Sequence, residues 1–315
     1  MQQRPRRTPS SHMPPLRVAT PILDVAYETG GPDGGPPVIL LHGWPDDVRA
    51  FDLVAPALHD SGLKTFAPWL RGFGPTQFLS AETARSGQIA AMAQDVLEFA
   101  DALKLKRFSI VGHDWGARIA YLVASVVPER VSRIAALSVG WQPGELVTPA
   151  LEQAQAFWYQ WFMATKRGAE TVRRDGKAFA RFQWETWSPP GWFDDAVFDA
   201  AASSFENPDW SEITLHSYRV RWGEAETDPR YAELEQRQKA ARTISVPTLM
   251  IQGGDDRCVL PPSSEGKEKY FTGPYRRCVL DGIGHFPTRE APEKVAELLV
   301  EFLKVEVGES GREPI

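Results

Sequence analysis

Short β-rich apolar runs alternate with helix-patterned stretches over about residues 22–138 and again beyond residue 242, and this alternation restricts the fold more than any other feature. Pro37-Val38-Ile39-Leu40-Leu41 is a continuous apolar run bounded by glycines, the pattern of a strand buried on both faces. Residues 89–103 place apolar side chains at helical spacing, and Phe108-Ser109-Ile110-Val111 follows as the next strand. A helix over 117–127 and a strand at Ile134-Ala135-Ala136-Leu137 continue the series. Strands and helices alternating at this spacing form βαβ units. The expected core is therefore α/β, a mostly parallel central sheet with helices on both faces.

Between residues 141 and 241 the alternation stops. That stretch reads as helical and aromatic-rich, with Trp158, Trp161, Trp184, Trp187, Trp192, Trp210 and Trp222 and no evident strand. The strand pattern resumes at Pro247-Thr248-Leu249-Met250-Ile251, passes through Cys278-Val279-Leu280 and ends in a helix over 291–303. Two halves of one sheet separated by helices describe a core of residues 18–140 and 242–306 carrying an inserted helical cap, 141–241. Residues 1–17 and 307–315 read as disordered tails. The first holds Arg4, Arg6, Arg7 and several prolines, without the apolar core a secretory signal needs.

Composition excludes several function classes. The 315 residues are 43% apolar and 24% charged, which is globular in type, and a net charge of −6 gives no reason to expect a nucleic-acid partner. No apolar run reaches the roughly 18 to 20 residues that cross a bilayer, so no membrane partner is expected. Cys258 and Cys278 fit neither a zinc motif nor a disulfide framework, and two free thiols suit the cytoplasm. No metal and no organic cofactor is implied; a homodimer is left open.

Reactive groups cluster where strands end. Gly112-His113-Asp114-Trp115-Gly116 follows a strand and opens a helix, the context of a nucleophile elbow with Asp where esterases carry Ser. Asp at such a place also caps helices, so the motif needs its surroundings. The first buried strand runs into His42-Gly43-Trp44-Pro45, where the Trp44 N–H and the N–H of Trp115 are placed to form an oxyanion hole. Another strand ends in Gln252-Gly253-Gly254-Asp255-Asp256, which offers two adjacent acids, and the last leads to Gly282-Ile283-Gly284-His285-Phe286. Nucleophile, acid and histidine in that chain order suit such a sheet. His113, inside the elbow but pointing away from its tip, reads as structural.

These motifs make residues 20–305 resemble the α/β-hydrolase superfamily, and within it the epoxide hydrolase and dehalogenase branch. His42-Gly43-Trp44-Pro45, His113-Asp114-Trp115-Gly116 and Arg71-Gly72-Phe73-Gly74 carry the resemblance, although Trp69 stands where an Asp is usual. The resemblance implies Asp114 as nucleophile, His285 as base and Asp256, rather than Asp255, as the acid. Phe157-Trp158-Tyr159-Gln160 and Ser217-Tyr218-Arg219 resemble the cap segments whose tyrosines donate to an epoxide oxygen, so Tyr159 and Tyr218 are the expected donors. Packing alone would also suit both.

The implied function is hydrolysis of a small apolar or aromatic epoxide with water, a detoxifying activity, in a site lined by Trp44, Trp115, Trp158 and Trp161. Such aromatic pockets gain affinity by burying apolar surface. The nearest rivals are haloalkane and haloacetate dehalogenases. Arg118 matches one carboxylate-binding arginine of the haloacetate group, while Trp115, Tyr159 and Gln160 depart from its pattern. A receptor that binds without turnover is the remote alternative.

Overall fold

The computed structural model describes residues 14–144 and 148–304; residues 1–13 of the first expected tail and the whole of the second, 307–315, lie outside the described residues. The sheet comprises β1 (Leu16–Ala19), β2 (Leu23–Gly30), β3 (Pro37–Leu41), β4 (Lys64–Pro68), β5 (Gln77–Phe78), β6 (Phe108–His113), β7 (Val131–Leu137), β8 (Thr248–Gly253) and β9 (Tyr275–Leu280). Their order is β1-β2-β4-β3-β6-β7-β8-β9, with β5 on β2. Every pairing from β4 across to β9 is parallel. β1, β2 and β5 form an antiparallel edge. One boundary needs correcting. Leu16 and Arg17 belong to β1 and not to a tail, because they pair with Tyr27 and Ala26, and Arg17 Nε lies 2.7 Å from Asp24 Oδ2.

β6 and β8 are buried along their whole length, and β3 nearly so, which is why their sequences are apolar runs and not alternating patterns. Helices α1 (Ala55–Asp60), α2 (Ile89–Ala102) and α3 (Trp115–Val126) accompany the first half of the sheet. The segment between β7 and β8 is helical: α4 (Leu151–Ala156), α5 (Trp158–Ala164), α6 (Lys166–Arg174), α7 (Gly176–Thr186), α8 (Asp195–Ala202), α9 (Trp210–Arg221) and α10 (Ala232–Ala240). Helices α11 (Pro287–Glu290) and α12 (Pro292–Lys304) follow β9. α3 packs on β6 and β7 and buries Ile119, Leu122 and Val123; each such fully buried side chain contributes roughly 1.5 to 3 kcal/mol.

Because β3, β6, β7, β8 and β9 run parallel, the loops after them emerge at one edge of the sheet, where ligands bind in open α/β sheets. The helical segment leaves from β7 at that same edge. Hydrogen bonds tie it down: Trp44 Nε1 donates to Thr214 Oγ1 at 3.0 Å, Trp184 Nε1 to the Pro45 carbonyl at 2.7 Å, and Ser204 Oγ to Asp47 Oδ2 at 2.6 Å. Trp69, the residue that departs from the motif pattern, donates from Nε1 to Ser204 Oγ at 3.0 Å and so helps hold this edge.

Candidate active site

Asp114 sits between the last residue of β6 and the first of α3, with φ 49° and ψ −106°. A positive φ is strained for any residue with a Cβ, by about 1 to 3 kcal/mol, and is held only by its surroundings. The flanking glycines allow close packing rather than an unusual φ. A Cβ on Gly112 would lie 2.2 Å from the Gly116 carbonyl oxygen, and one on Gly116 would lie 2.1 Å from that of Leu41. The Asp114 side chain makes no cap hydrogen bond to α3, which sets aside the helix-capping alternative. Instead its Oδ1 accepts the backbone N–H of Trp44 at 3.0 Å. The Trp115 N–H opens α3 and has no carbonyl one turn earlier to receive it.

Above Asp114 stands His285. Its Nδ1 lies 2.9 Å from Asp256 Oδ2 and its Nε2 lies 3.9 Å from Asp114 Oδ2, with no hydrogen-bond partner for Nε2 among the described residues. Asp256 Oδ1 also accepts the N–H groups of Cys258 at 2.8 Å and Val259 at 2.9 Å. That pattern of donors suits an ionised carboxylate, which makes Nδ1 the protonated nitrogen and leaves the Nε2 lone pair toward Asp114. Asp255, by contrast, is exposed. Burial pushes the His285 pKa down, but the charge and hydrogen bond of Asp256, with Asp114 and Glu290 adding to them, carry it above its ordinary value.

The loop that carries His285 is fixed by His113 of the elbow and by groups that no motif marked. His113 Nε2 donates to the His285 carbonyl at 2.7 Å and Ser138 Oγ to the same oxygen at 2.9 Å. Ser188 Oγ accepts the His285 N–H at 2.8 Å. Glu290 accepts from Ser188 Oγ at 2.7 Å, from the Gly284 N–H at 2.7 Å and from the Phe286 N–H at 2.9 Å. The structural reading of His113 accords with this bond. Ser188 comes from the helical segment, about a hundred residues away in the chain, so local sequence carries no signal for it.

Tyr159 on α5 and Tyr218 on α9 are both buried. Each packs against Trp44, Tyr159 stacked at 5.7 Å and Tyr218 edge-on at 5.2 Å, and they meet each other at 5.3 Å. The Tyr218 oxygen accepts from Trp115 Nε1 at 3.2 Å; the Tyr159 oxygen accepts from Gln160 Nε2 at 2.8 Å and lies 3.5 Å from Cys258 Sγ. Burial raises both phenols well above the usual pKa. Cys258, the other tyrosine and Asp114 add to this at Tyr159, and Asp114 above all at Tyr218.

The structure does not bring Trp158 and Trp161 to this cluster. They are 39% and 37% exposed, Trp158 against Phe162, Phe179 and Phe182 and Trp161 against Trp222. With Tyr159 turned inward on α5, its neighbours at steps of about 100° must face elsewhere. Trp187 takes the inner place, 5.0 Å from His285, 4.9 Å from Tyr159 and 5.8 Å from Trp44. Arg118, on α3, has no hydrogen-bond partner for its Nε among the described residues; burial and the neighbouring Arg221 push its pKa down to about 10. No group of three or more His, Cys, Asp or Glu side chains placed to hold a metal occurs among the described residues. None of their helices is long and apolar enough to cross a membrane.

A family model for the α/β hydrolase fold matches residues 36–292. Epoxide hydrolase A of Mycobacterium tuberculosis is 28% identical, the alignment covering 88% of this chain and 92% of that protein. Bifunctional epoxide hydrolase 2 of Mus musculus is 25% identical over 87% of this chain but only 52% of its own length. Among solved structures, a Klebsiella pneumoniae protein provisionally described as an epoxide hydrolase superposes with a TM-score of 0.87 at 37% identity, covering 92% of this chain and 97% of that one.

Proposed function

The chain belongs to the α/β-hydrolase-fold family, and from that premise we propose that it is an epoxide hydrolase working through a covalent ester on Asp114. The observation that carries the reading is one constellation. A carboxylate on a strained elbow lies near two buried phenols, and 3.9 Å from it stands the His285 Nε2, which has no hydrogen-bond partner among the described residues.

An Asp114 oxygen attacks an epoxide carbon, and the C–O bond breaks as the ester bond forms. The electron pair stays on the leaving oxygen, which takes hydrogen bonds and then a proton from Tyr159 or Tyr218. Raised pKa values keep both phenols protonated until an alkoxide, a stronger base, appears. His285 then removes a proton from water as that water attacks the ester carbonyl. The oxyanion forms between the N–H groups of Trp44 and Trp115, and Asp256 steadies the imidazolium. Collapse releases the diol, restores the carboxylate and returns the proton to the phenolate.

In this reading residues 141–241 act as a cap that shuts water out, with Trp44 and Trp187 as the wall for an apolar or aromatic substrate. Relatives named as epoxide hydrolases support the same activity. Two thiols without a disulfide suit a cytoplasmic enzyme.

A single turnover with excess enzyme in ¹⁸O-water tests the mechanism. The first diol should be unlabelled and the label should enter the Asp114 carboxylate. His285→Gln should accumulate an adduct of enzyme plus substrate mass on the peptide containing Asp114. Labelled diol with no adduct would mean that water attacks the epoxide directly.

One observation favours a second reading. Arg118 and Arg221 lie close together near Asp114 and make no ion pair with a carboxylate among the described residues, a cation pair that suits the carboxylate of a haloacid. Parallel assays on styrene-type epoxides, 1-haloalkanes and fluoroacetate separate the two activities.

A further inference from the structure

Both phenol oxygens receive a hydrogen bond from a group that can only donate. The indole Nε1–H of Trp115, 3.2 Å from the Tyr218 oxygen, has no acceptor capacity. At Tyr159 the donor is the amide of Gln160, and its orientation is forced. Gln160 Oε1 faces Trp222 Nε1 at 2.9 Å and Arg221 Nη1 at 3.4 Å, both obligate donors. The oxygen end of the amide must therefore lie there, and Nε2 must face the Tyr159 oxygen at 2.8 Å.

We propose that Gln160 and the indole of Trp115 are positioning residues that set the polarity of the two phenols, so that each hydroxyl hydrogen is turned toward the oxygen leaving the substrate carbon. This rests on the reading that both tyrosines donate to the epoxide oxygen. A phenol whose oxygen already accepts from behind has its own hydrogen left to give. The other neighbour of the Tyr159 hydroxyl is Cys258 Sγ at 3.5 Å, a weak acceptor that yields to a developing oxyanion. The accepted bonds also stabilise each phenolate after proton transfer, easing a step that burial makes unfavourable. Sequence adjacency of Tyr159 and Gln160 would ordinarily point their side chains about 100° apart on a helix. The Gln160 amide bridges that gap by reaching back to the phenol while Trp222 and Arg221 hold its other end.

Substituting Gln160→Glu tests the polarity itself. A protonated Glu side chain can still donate to the Tyr159 oxygen; an ionised one can only accept, and would capture the phenol proton. The charged and titratable groups around this position are Arg221, Tyr159 and Cys258, with Arg118, Tyr218 and Asp114 beyond the phenol. In rapid-quench single turnovers of styrene oxide, ester formation by Gln160→Glu should match the native enzyme at low pH. It should fall by about a hundredfold as the new carboxyl ionises with rising pH. Gln160→Met, which cannot titrate, should give a loss with no added pH dependence, and ester hydrolysis should stay unchanged in both. Equal losses for Gln160→Glu at every pH, or losses shared by both chemical steps, would overturn the proposal.

A double-mutant cycle keeps the test sound should Gln160→Glu fail to fold. Gln160→Met should slow ester formation in the native background and add nothing on top of Tyr159→Phe. Additive losses would assign Gln160 to packing. If Tyr159→Phe and Tyr218→Phe themselves leave ester formation unchanged, the donor reading fails instead, and the two failures are thereby distinguished.

Discussion

Two acids adjacent in sequence, Asp255 and Asp256, have opposite fates: the first is exposed, and the second is buried and bonded to His285 Nδ1 at 2.9 Å. Asp256→Asn should slow ester hydrolysis and leave ester formation intact, while Asp255→Asn should leave both unchanged; transient kinetics of the two variants read this directly. The elevated pKa of His285 has a definite sign in activity. In the proposed mechanism His285 must be neutral to accept a proton, so hydrolysis should rise with pH through an apparent pKa above the ordinary 6.5. Asp256→Asn should move that limb to lower pH. An acid limb unchanged by Asp256→Asn would detach it from His285. At the phenols, losing one donor to an oxyanion is worth roughly 2.7 to 4 kcal/mol. Tyr159→Phe and Tyr218→Phe should each slow ester formation by about a hundredfold or more, and the double variant should nearly abolish it.

The elements that build the site meet through buried polar ties, and one of these titrates. Asp47, in the loop after β3, accepts from Ser204 of the helical segment at 2.6 Å and lies beside Asp46, which pairs with Arg289 at 2.6 Å. Burial and the charge of Asp46 push its pKa up to about 7 from 3.8. The folded protein therefore holds a proton there that the unfolded chain releases. The stability this contributes is complete below about 3.8 and is lost as pH rises through about 7. Asp47→Asn keeps the shape and cannot ionise, so its Tm should exceed that of the native protein by about 2 to 4 °C at pH 8, with the gain shrinking as pH falls and vanishing only below about 3.8. Thermal melts at several pH values check this; a gain independent of pH would place the effect in packing.

The helical segment and the sheet share one hydrophobic core. Trp44, from the loop after β3, contacts Phe179 of α7 and Trp210 of α9, and Trp184 of α7 packs on Phe286 beside His285. Neither part covers its aromatic face without the other. The whole molecule is therefore expected to unfold in a single transition. Near-ultraviolet circular dichroism, dominated by tryptophans of the helical segment, should coincide with the far-ultraviolet signal of the sheet and helices. Separated midpoints would show that the segment detaches first and that the site can open without loss of the sheet.

Local sequence determined what depends on local order. The apolar runs of β3, β6 and β8, the elbow around Asp114 and the position of His285 beyond the last strand are set by side-chain period, glycine size and chain order, all of which act between near neighbours. Tyr159 and Tyr218 stood out only through resemblance to known segments, since an aromatic residue in a helix carries no sign of which way it faces. Tertiary structure decided the rest. It turned Trp158 and Trp161 outward and brought Trp187 against Tyr159 and His285, because the rotation of α5 against α6 and α9 and the course of the chain after α7 are fixed by tertiary packing and not by composition. It buried Asp256 against His285 and left Asp255 exposed, a choice that the sequence offered only through resemblance. It also joined Ser188, Gln160, Trp222 and Glu290 to the site through hydrogen bonds, several of them spanning tens of residues or more along the chain. Such long-range bonds leave no periodicity in the sequence, because a single polar contact constrains one side chain at each end and nothing between them.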